Sequence, residues 1–192
     1  MGCGRSKRTA PEPSGGEVLL LGCAGAGKTL LCRQLERLCS GAGPEGCNTS
    51  TVPSIGTELL TLHQKRRATT LREVGGAMLP VWPKFYENCH SVAFVADVSD
   101  AAVSGALVEW YNLMGEAQLR EKPLMLIFNK IDDKGALSVP ARRQLFRLAD
   151  CEANAAFTER VTVLSTCART GEGVQPVLEW MLSARPTPAE AK

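Results

Sequence analysis

Residues 22–29 read Gly-Cys-Ala-Gly-Ala-Gly-Lys-Thr and fit the pattern G-x-x-x-x-G-K-[ST] in full. An apolar run at residues 18–21 precedes this stretch, and leucines at helical spacing follow it between residues 28 and 38. A strand, a glycine-rich loop and the first turn of a helix suit phosphate binding, because backbone N–H groups and the helix N-terminus then point at the anion. The stretch therefore predicts an α/β fold with a phosphate-binding loop.

Each residue of this loop has a place in the predicted cradle. The residues expected to surround the phosphates are Gly22, Cys23, Ala24, Gly25, Ala26, Gly27, Lys28 and Thr29. We expect the Lys28 ammonium to reach the β- and γ-phosphates and the Thr29 hydroxyl to bind Mg²⁺. Cys23 has two interpretations, a small apolar filler or a redox-sensitive thiol of low pKa.

Buried strands alternate with helices along the rest of the chain. Apolar runs predict strands at 18–21, 91–97, 124–128 and 161–165, and apolar spacing predicts helices at 28–38, 102–117, 140–148 and 173–184. Residues 58–63 and 68–72 predict a hairpin with the basic tip Lys65-Arg66-Arg67. The alternation predicts a mostly parallel six-stranded sheet with helices on both faces, which binds ligands at the carboxyl ends of its strands.

Length and composition indicate one globular domain. The 192 residues suit a domain at 17–184, and the polar, Gly- and Pro-rich segments 1–16 and 185–192 are expected to be disordered. Lys and Arg number 22 against 20 Asp and Glu, and this near-neutral balance argues against nucleic acid as a partner. The eight cysteines include no Cys-x-x-Cys pair, so no zinc site is expected. The sequence shows no secretory signal, and reduced thiols in a cytoplasmic protein are therefore expected.

A second motif, Asn129-Lys130-Ile131-Asp132, follows the predicted strand 124–128. In the pattern N-K-x-D, the carboxylate of Asp132 accepts hydrogen bonds from guanine N1–H and the 2-amino group, and adenine has neither donor. We expect Asn129 to join this loop to the phosphate loop, and the stem of Lys130 to pack along the base. The predicted ligand is therefore GTP or GDP with Mg²⁺.

The chain resembles the ADP-ribosylation factor (Arf) family of small GTPases, in the Ras superfamily, over residues 17–184. The segments that carry the resemblance are Val52-Pro53-Ser54-Ile55-Gly56, similar to switch I; Glu73-Val74-Gly75-Gly76 and Pro80-Val81-Trp82, similar to switch II; and Thr166-Cys167-Ala168, similar to the T-C-A guanine loop. The resemblance implies a P-loop small GTPase domain in which Ser54 binds Mg²⁺ and Glu73 holds it through a water. It also implies that the Gly76 N–H binds the γ-phosphate and that Thr166, Cys167 and Ala168 border the guanine.

Two residues depart from the family pattern. Glu73 stands where the family has aspartate, and Ala77 stands at the position of the glutamine that orients the attacking water. No catalytic residue is therefore assigned, and hydrolysis is expected to be slow or dependent on a partner. The resemblance implies a switch that meets an effector, an exchange factor and an activating protein at its two switch segments.

Two alternatives to a slow GTPase switch stay open. The first is a GTP-loaded binding or adaptor module that scarcely hydrolyses its nucleotide. The second is a P-loop kinase for a small phosphate acceptor, which the Asn129–Asp132 motif disfavours, as does the lack of an Arg-rich lid segment in the sequence.

The first residues, Met1-Gly2-Cys3-Gly4-Arg5-Ser6, fit the myristoylation pattern M-G-x-x-x-[ST]. Gly2 is the predicted myristoylation site, and Cys3 beside it is a candidate for palmitoylation. Basic residues at 5, 7 and 8 suit anionic lipid head groups. We expect peripheral attachment to the cytosolic face of a membrane, the alternative being an unmodified tail.

Overall fold

The computed structural model of the protein describes residues 17–43, 46–99 and 101–183. The predicted N-terminal segment 1–16, with Gly2 and Cys3, and the predicted tail 185–192 lie outside the described residues. Within the described ranges, no helix combines the length and the apolar character that a bilayer crossing requires.

Six strands form one sheet. They are β1 (Glu17–Leu21), β2 (Thr57–Gln64), β3 (Arg67–Val74), β4 (Cys89–Asp97), β5 (Leu124–Asn129) and β6 (Val161–Ser165). Their order across the sheet is β2-β3-β1-β4-β5-β6. β2 and β3 pair antiparallel, and every other neighbouring pair is parallel. The predicted mostly parallel six-stranded sheet is confirmed.

The central strands β1, β4 and β5 are buried because their side chains alternate between two cores, one on each face of the sheet. Leu19 and Leu21 of β1 pack into one core, whereas Val18 and Leu20 pack into the other. This is the period of two that a strand imposes on its side chains. All residues of β4 and β5 are buried, as expected of parallel strands covered on both faces.

Helices cover both faces, as predicted. They are α1 (Lys28–Cys39), α2 (Pro83–Tyr86), α3 (Val103–Gly115), α4 (Val139–Leu145), α5 (Leu148–Glu152), α6 (Ala155–Arg160) and α7 (Val174–Ser183), with 3₁₀ turns at Gly76–Val81 and Ala117–Leu119. α1 and α7 share one core. In the other core, Trp110 of α3 lies 5.9 Å from Phe94, centroid to centroid, at a tilt of 42°. Such aromatic pairs stabilise a fold beyond the area they bury.

The segment from 139 to 160 differs from its prediction. The sequence predicts one helix at 140–148, but α4 ends early because Arg147 adopts a left-handed φ of +49°. α4 begins where the Ser138 hydroxyl accepts a hydrogen bond from the Ala141 N–H at 3.3 Å. α5 and α6 have five and six residues, and α2 has four, so none is long enough to leave a periodic pattern in the sequence.

β2 and β3 form the predicted hairpin at one edge of the sheet. Its tip turns through Lys65, which has a φ of +58°. Glu17, the first residue of β1, pairs with Thr70 of β3, so the chain enters the sheet near the hairpin tip. The open end of the hairpin, between Gly56 and Gly75, lies at the opposite edge.

That opposite edge carries the carboxyl ends of β1, β3, β4, β5 and β6. Because parallel strands end at a common edge, the segments that follow them converge there. These segments are residues 22–27, 75–82, 130–138 and 166–173. Both sequence motifs and the segments similar to the switches therefore lie at one edge of the sheet.

Candidate functional site

The loop between β1 and α1 requires glycine at two positions. Gly22 has a φ of +146°, and a Cβ there would lie 2.3 Å from the carbonyl oxygen of Val95. Gly27 has a φ of +94°, and its Cβ would lie 2.4 Å from Nδ2 of Asn129. No side chain fits these contacts, so the two glycines let the loop lie directly against β4 and the end of β5.

Lys28 is the first residue of α1 and is only 5% exposed. Its Nζ donates to the carbonyl oxygens of Gly22 at 2.7 Å and Cys23 at 3.1 Å. Burial lowers the pKa of Lys28, and the negative charge of Glu73 opposes that decrease. The ammonium group is thus held inside the loop, at the wall of the cavity that the loop borders.

Three side chains bring oxygen atoms together beside this cavity. Thr29 Oγ1 lies 2.9 Å from Ser54 Oγ and donates to Glu73 Oε1 at 2.6 Å. Glu73 is 2% exposed, and its Oε2 has no hydrogen-bond partner among the described residues. A buried carboxylate oxygen without a partner costs free energy, so this position favours a cation or a water molecule.

The cavity has a volume of about 180 Å³ and separates the phosphate loop from residues 51–55. Gly76 and Ala77 lie on its wall. Gly76 approaches the phosphate loop so closely that a Cβ would lie 2.2 Å from the Ala24 backbone nitrogen. Ala77 is exposed and contributes a methyl group, which cannot orient a water molecule by hydrogen bonding.

The two segments similar to the switches contact each other. The Gly75 N–H donates to the Gly56 carbonyl oxygen at 2.9 Å, and the Gly56 N–H donates to Met78 Sδ at 3.0 Å. A Cβ on Gly75 would lie 2.4 Å from the carbonyl oxygen of Ser54. The position of Ser54 therefore depends on residues 75–78. Sequence reasoning missed Met78, because a thioether acceptor belongs to no recognisable motif.

Asn129, at the end of β5, joins three loops around a second cavity. It is 1% exposed, and its Nδ2 donates to the Ala26 carbonyl oxygen at 2.8 Å. Its Oδ1 accepts from Thr166 Oγ1 at 3.0 Å and from the Ala168 N–H at 3.1 Å. The predicted link between Asn129 and the phosphate loop is present, and both ends of the amide are engaged.

The second cavity has a volume of about 430 Å³, and Lys130 lies on its wall. Lys130 has a φ of +63°, a conformation that a residue with a side chain adopts at a cost. Its Nζ lies 2.7 Å from Asp97 Oδ2, so the charge is paired outside the cavity. The aliphatic stem is then the part of Lys130 that can pack along a base.

Asp132 lies on the wall of the same cavity and is paired with Arg169. Its Oδ2 accepts from Nε of Arg169 at 2.9 Å and from Nη2 at 2.6 Å. A hydrogen bond from the Cys167 thiol lowers the pKa of Asp132, and Arg169 lowers it further, against the opposing effect of burial. Sequence reasoning missed Arg169, because the T-C-A segment ends one residue before it.

Comparison with known proteins agrees with this geometry. The sequence model of the ADP-ribosylation factor family matches residues 10–185. The chain belongs to the ADP-ribosylation factor family. It is 38% identical to human ADP-ribosylation factor-like protein 16 over 169 residues, which are 86% of this chain and 84% of that protein. Family membership makes the chain an Arf-like small GTPase, a nucleotide-binding switch protein.

The fold of this Arf-family chain is also found in a solved structure. That structure is the Arl6 BBS3 small GTPase from Trypanosoma brucei with bound nucleotide analogue GppNp, with a TM-score of 0.68. The match covers 87% of this chain and 95% of the other, at 21% sequence identity. At this identity the likeness supports the small GTPase fold alone, and that prediction is confirmed.

Cys23 of this Arf-family chain lies half-buried within the phosphate loop. Burial raises the pKa of its thiol and the charge of Glu109 raises it further, whereas Lys28 lowers it. A thiol with a raised pKa stays protonated and unreactive at neutral pH. The structure therefore favours the small apolar filler over the redox-sensitive thiol.

Proposed function

We propose that the chain binds GTP or GDP with Mg²⁺ across the two cavities and changes its two switch segments with the nucleotide. The single observation that carries the proposal is Asn129, whose amide joins the phosphate loop to the loop of residues 166–168 through Ala26, Thr166 and Ala168. A ligand with a base at one end and phosphates at the other would contact both loops at once.

The phosphate end has the donors that phosphate oxygens need. We assign the phosphates to the backbone of residues 22–29, to the Lys28 ammonium and to the Gly76 N–H. Gly76 lies against Ala24, so its N–H and the phosphate loop border the same cavity. Charge-assisted bonds from ammonium and amide groups to phosphate oxygens are among the stronger hydrogen bonds in proteins.

The guanine end combines a carboxylate acceptor with an aliphatic side chain that can pack on the base. We assign Asp132 to the N1–H and 2-amino group of guanine, and the stem of Lys130 to one face of the base. Ala168 lies on the wall of the same cavity, and Asn129 holds this segment through the Ala168 N–H and the Thr166 hydroxyl. Adenine has neither of these donors and would gain no hydrogen bond from the Asp132 carboxylate.

The residues present fit Mg²⁺. Mg²⁺ takes oxygen ligands at 2.0–2.1 Å in octahedral geometry, so neighbouring ligands lie about 2.9 Å apart. The Thr29 and Ser54 hydroxyl oxygens are 2.9 Å apart, and Oε2 of Glu73, which has no hydrogen-bond partner within the described ranges, can accept from a metal-bound water. When bound, Mg²⁺ neutralises the β- and γ-phosphate oxygens.

Release of the γ-phosphate would alter the contacts that hold both switch segments. Ser54 and Gly76 are the residues that would lose a partner, and Gly75 connects them through Gly56. Val52 and Ile55 are 81% and 94% exposed, so this segment presents apolar side chains to solvent. We propose that effector, exchange factor and activating protein bind at these segments.

Hydrolysis by the isolated chain is proposed to be slow or to require a partner, because Ala77 offers no polar group to an attacking water. The same observation supports the second candidate function, a GTP-loaded adaptor module. Single-turnover hydrolysis of GTP by the purified chain, measured alone and with added cell fractions, separates the two. Hydrolysis accelerated by a cell fraction supports the switch, and GTP that stays intact with every fraction supports the adaptor.

Calorimetric titration of the purified full chain with GDP, GTP and ADP tests the nucleotide assignment. We expect guanine nucleotides to bind at least about 10³-fold more tightly than ADP, because the site is built to pair guanine donors. Asp132→Asn should lower GDP affinity by about 100-fold or more, since its amide presents donors to the 2-amino group. Equal binding of ADP, or no binding of any nucleotide, contradicts the proposal.

We also propose that Gly2 myristoylation, Cys3 palmitoylation and the basic residues at 5, 7 and 8 attach the chain to the cytosolic face of a membrane. One acyl chain gives only marginal binding, and a second lipid or a basic cluster makes it stable. The support is the sequence pattern and the entry of the chain into β1 near the hairpin tip, away from the nucleotide edge. Unchanged membrane fractionation of Gly2→Ala would exclude this attachment.

A further inference from the structure

The pairing of Asp132 with Arg169 has a consequence for nucleotide affinity, and it rests on the proposed function. Both donated hydrogen bonds of Arg169 fall on one oxygen, Oδ2 of Asp132, on the wall of the base cavity. We propose that Arg169 competes with guanine for the Asp132 carboxylate, and that it thereby weakens guanine-nucleotide binding and speeds nucleotide release.

The carboxylate does not need Arg169 to stay in place. The backbone on both sides of Asp132 is fixed, because the Ile131 N–H donates to the Thr166 carbonyl oxygen at 3.4 Å and the Asp133 N–H donates to the Lys130 carbonyl oxygen at 3.0 Å. Removing the guanidinium therefore leaves the loop that carries Asp132 in place, and losing Arg169 frees an acceptor.

The base edge and the guanidinium have the same polarity. Guanine presents N1–H and the 2-amino group to the carboxylate, and the guanidinium presents N–H groups to it. The side chain of Arg169 is 65% exposed and that of Asp132 is 26% exposed, so this pair lies at the surface of the cavity, where a ligand can reach it. A nucleotide that binds must therefore displace the Arg169 N–H groups from Asp132 Oδ2. When the nucleotide leaves, these N–H groups return to Oδ2.

The same chemistry predicts an effect on base selectivity. Xanthine carries a carbonyl oxygen where guanine carries the 2-amino group, so it presents an acceptor at that position. The N–H groups of Arg169 can donate to such an acceptor. Arg169 therefore narrows the difference between the affinities for guanine and xanthine nucleotides, in addition to lowering the affinity for guanine.

The chain offers a matched control in Arg143. Its Nη2 lies 2.6 Å from Glu152 Oε2, and the two side chains are each 45% exposed. This pair joins α4 to α5 and has no residue on the wall of the base cavity. Arg143→Ala removes the same charge and the same kind of surface pair.

The test compares wild type, Arg169→Ala, Arg169→Lys and Arg143→Ala as purified full-length chains. Affinity and release rate are measured with a fluorescent GDP derivative, and xanthosine diphosphate competes for the site. Arg169→Ala is expected to bind GDP about threefold to tenfold more tightly, with correspondingly slower release and weaker binding of xanthosine diphosphate. Arg169→Lys should lie between it and wild type, and Arg143→Ala should match wild type.

Two outcomes overturn the proposal. If wild type binds GDP and Arg169→Ala binds it equally or more weakly, the competition is wrong and the proposed function stands. If wild type binds no guanine nucleotide, the proposed function and the competition both fail. Circular dichroism of each variant shows whether the exposed substitution leaves the fold intact.

Discussion

Asn129 shows how much of the site depends on a single side chain. Its amide is buried and makes three hydrogen bonds to residues from two other loops. A buried polar group that loses its partner carries the full cost of its desolvation. Asn129 is therefore a structural residue of the site even without a ligand.

Replacing Asn129 by alanine leaves the Ala26 carbonyl, the Thr166 hydroxyl and the Ala168 N–H without this partner. We expect the free energy of unfolding to fall by about 2–4 kcal/mol, measured by urea denaturation. Asn112→Ala is the control, because Asn112 makes one exposed hydrogen bond at 3.3 Å, and it should change stability by less than about 0.5 kcal/mol. Equal effects of the two substitutions would contradict the assigned role.

Ala77 leads to a prediction of gained activity. Its methyl group lies on the wall of the phosphate cavity, so a longer polar side chain there can reach the same space. Ala77→Gln is expected to raise single-turnover GTP hydrolysis by at least about tenfold, since an oriented water attacks faster than a free one. Ala77→Leu adds similar length without a hydrogen-bonding group and should leave the rate near that of wild type.

At the level of single residues, the sequence predicts the site unevenly. Lys28 and Asp132 belong to motifs whose spacing reflects a fixed chemical task, so the sequence predicts them, and each lies on the wall of a cavity. Arg169 and Met78 act through contacts that folding creates between distant segments, and no local pattern marks them. The pairing of Asp132 in particular could not be read from a linear motif.

Among the elements, the two switch segments and the hairpin between them form one connected unit. Gly56 begins the hairpin and Gly75 ends it, and a hydrogen bond of 2.9 Å closes it between them. Ser54 lies directly before this closure, and a Cβ on Gly75 would collide with its carbonyl oxygen. The hydroxyl of Ser54 is thus positioned by residues that follow the hairpin.

Gly75→Ala is therefore expected to displace Ser54 from Thr29. The Mg²⁺ concentration needed for half-maximal GTP binding should rise by about tenfold, because one hydroxyl ligand is moved from a site that demands tight geometry. Gly115→Ala is the matched control, since a Cβ at the end of α3 meets no atom within 4 Å. Mg²⁺ dependence that stays unchanged in Gly75→Ala would show that Ser54 does not bind the metal.

The strands were predictable where long apolar runs are buried on both faces, as in β4 and β5. The hairpin was predictable because two segments typical of strands flank a short basic tip. The segment 148–160 was not, because α5 and α6 are held by tertiary contacts of Leu148 and Phe157 with the core rather than by a periodic pattern. The left-handed turn at Arg147 also lacks the glycine that commonly marks it.

For the whole molecule, ligand binding and folding should be coupled. The proposed nucleotide contacts span the loops after β1, β5 and β6, which separate on unfolding. GDP with Mg²⁺ at 100 times its dissociation constant should add about 2.7 kcal/mol to the free energy of unfolding. For a chain of this size the melting temperature should rise by about 5–10 °C, and ADP at the same concentration should leave it unchanged. A rise of equal size with ADP would contradict guanine selectivity.

The pairing of β3 with β1 limits how the hairpin can move. Leu60, Leu62 and Leu71 face the core, and alternate residues face away from it. Sliding β3 by one residue along β1 would turn these leucines to solvent, so the hairpin can travel only by an even number of residues. The smallest such step is about 6.6 Å, and it would carry Gly56 and the tip at Lys65 by the same amount. A movement of the hairpin at the phosphate cavity would therefore shift the hairpin tip by the same distance. The tip lies at the far edge of the sheet, where the chain enters β1 at Glu17.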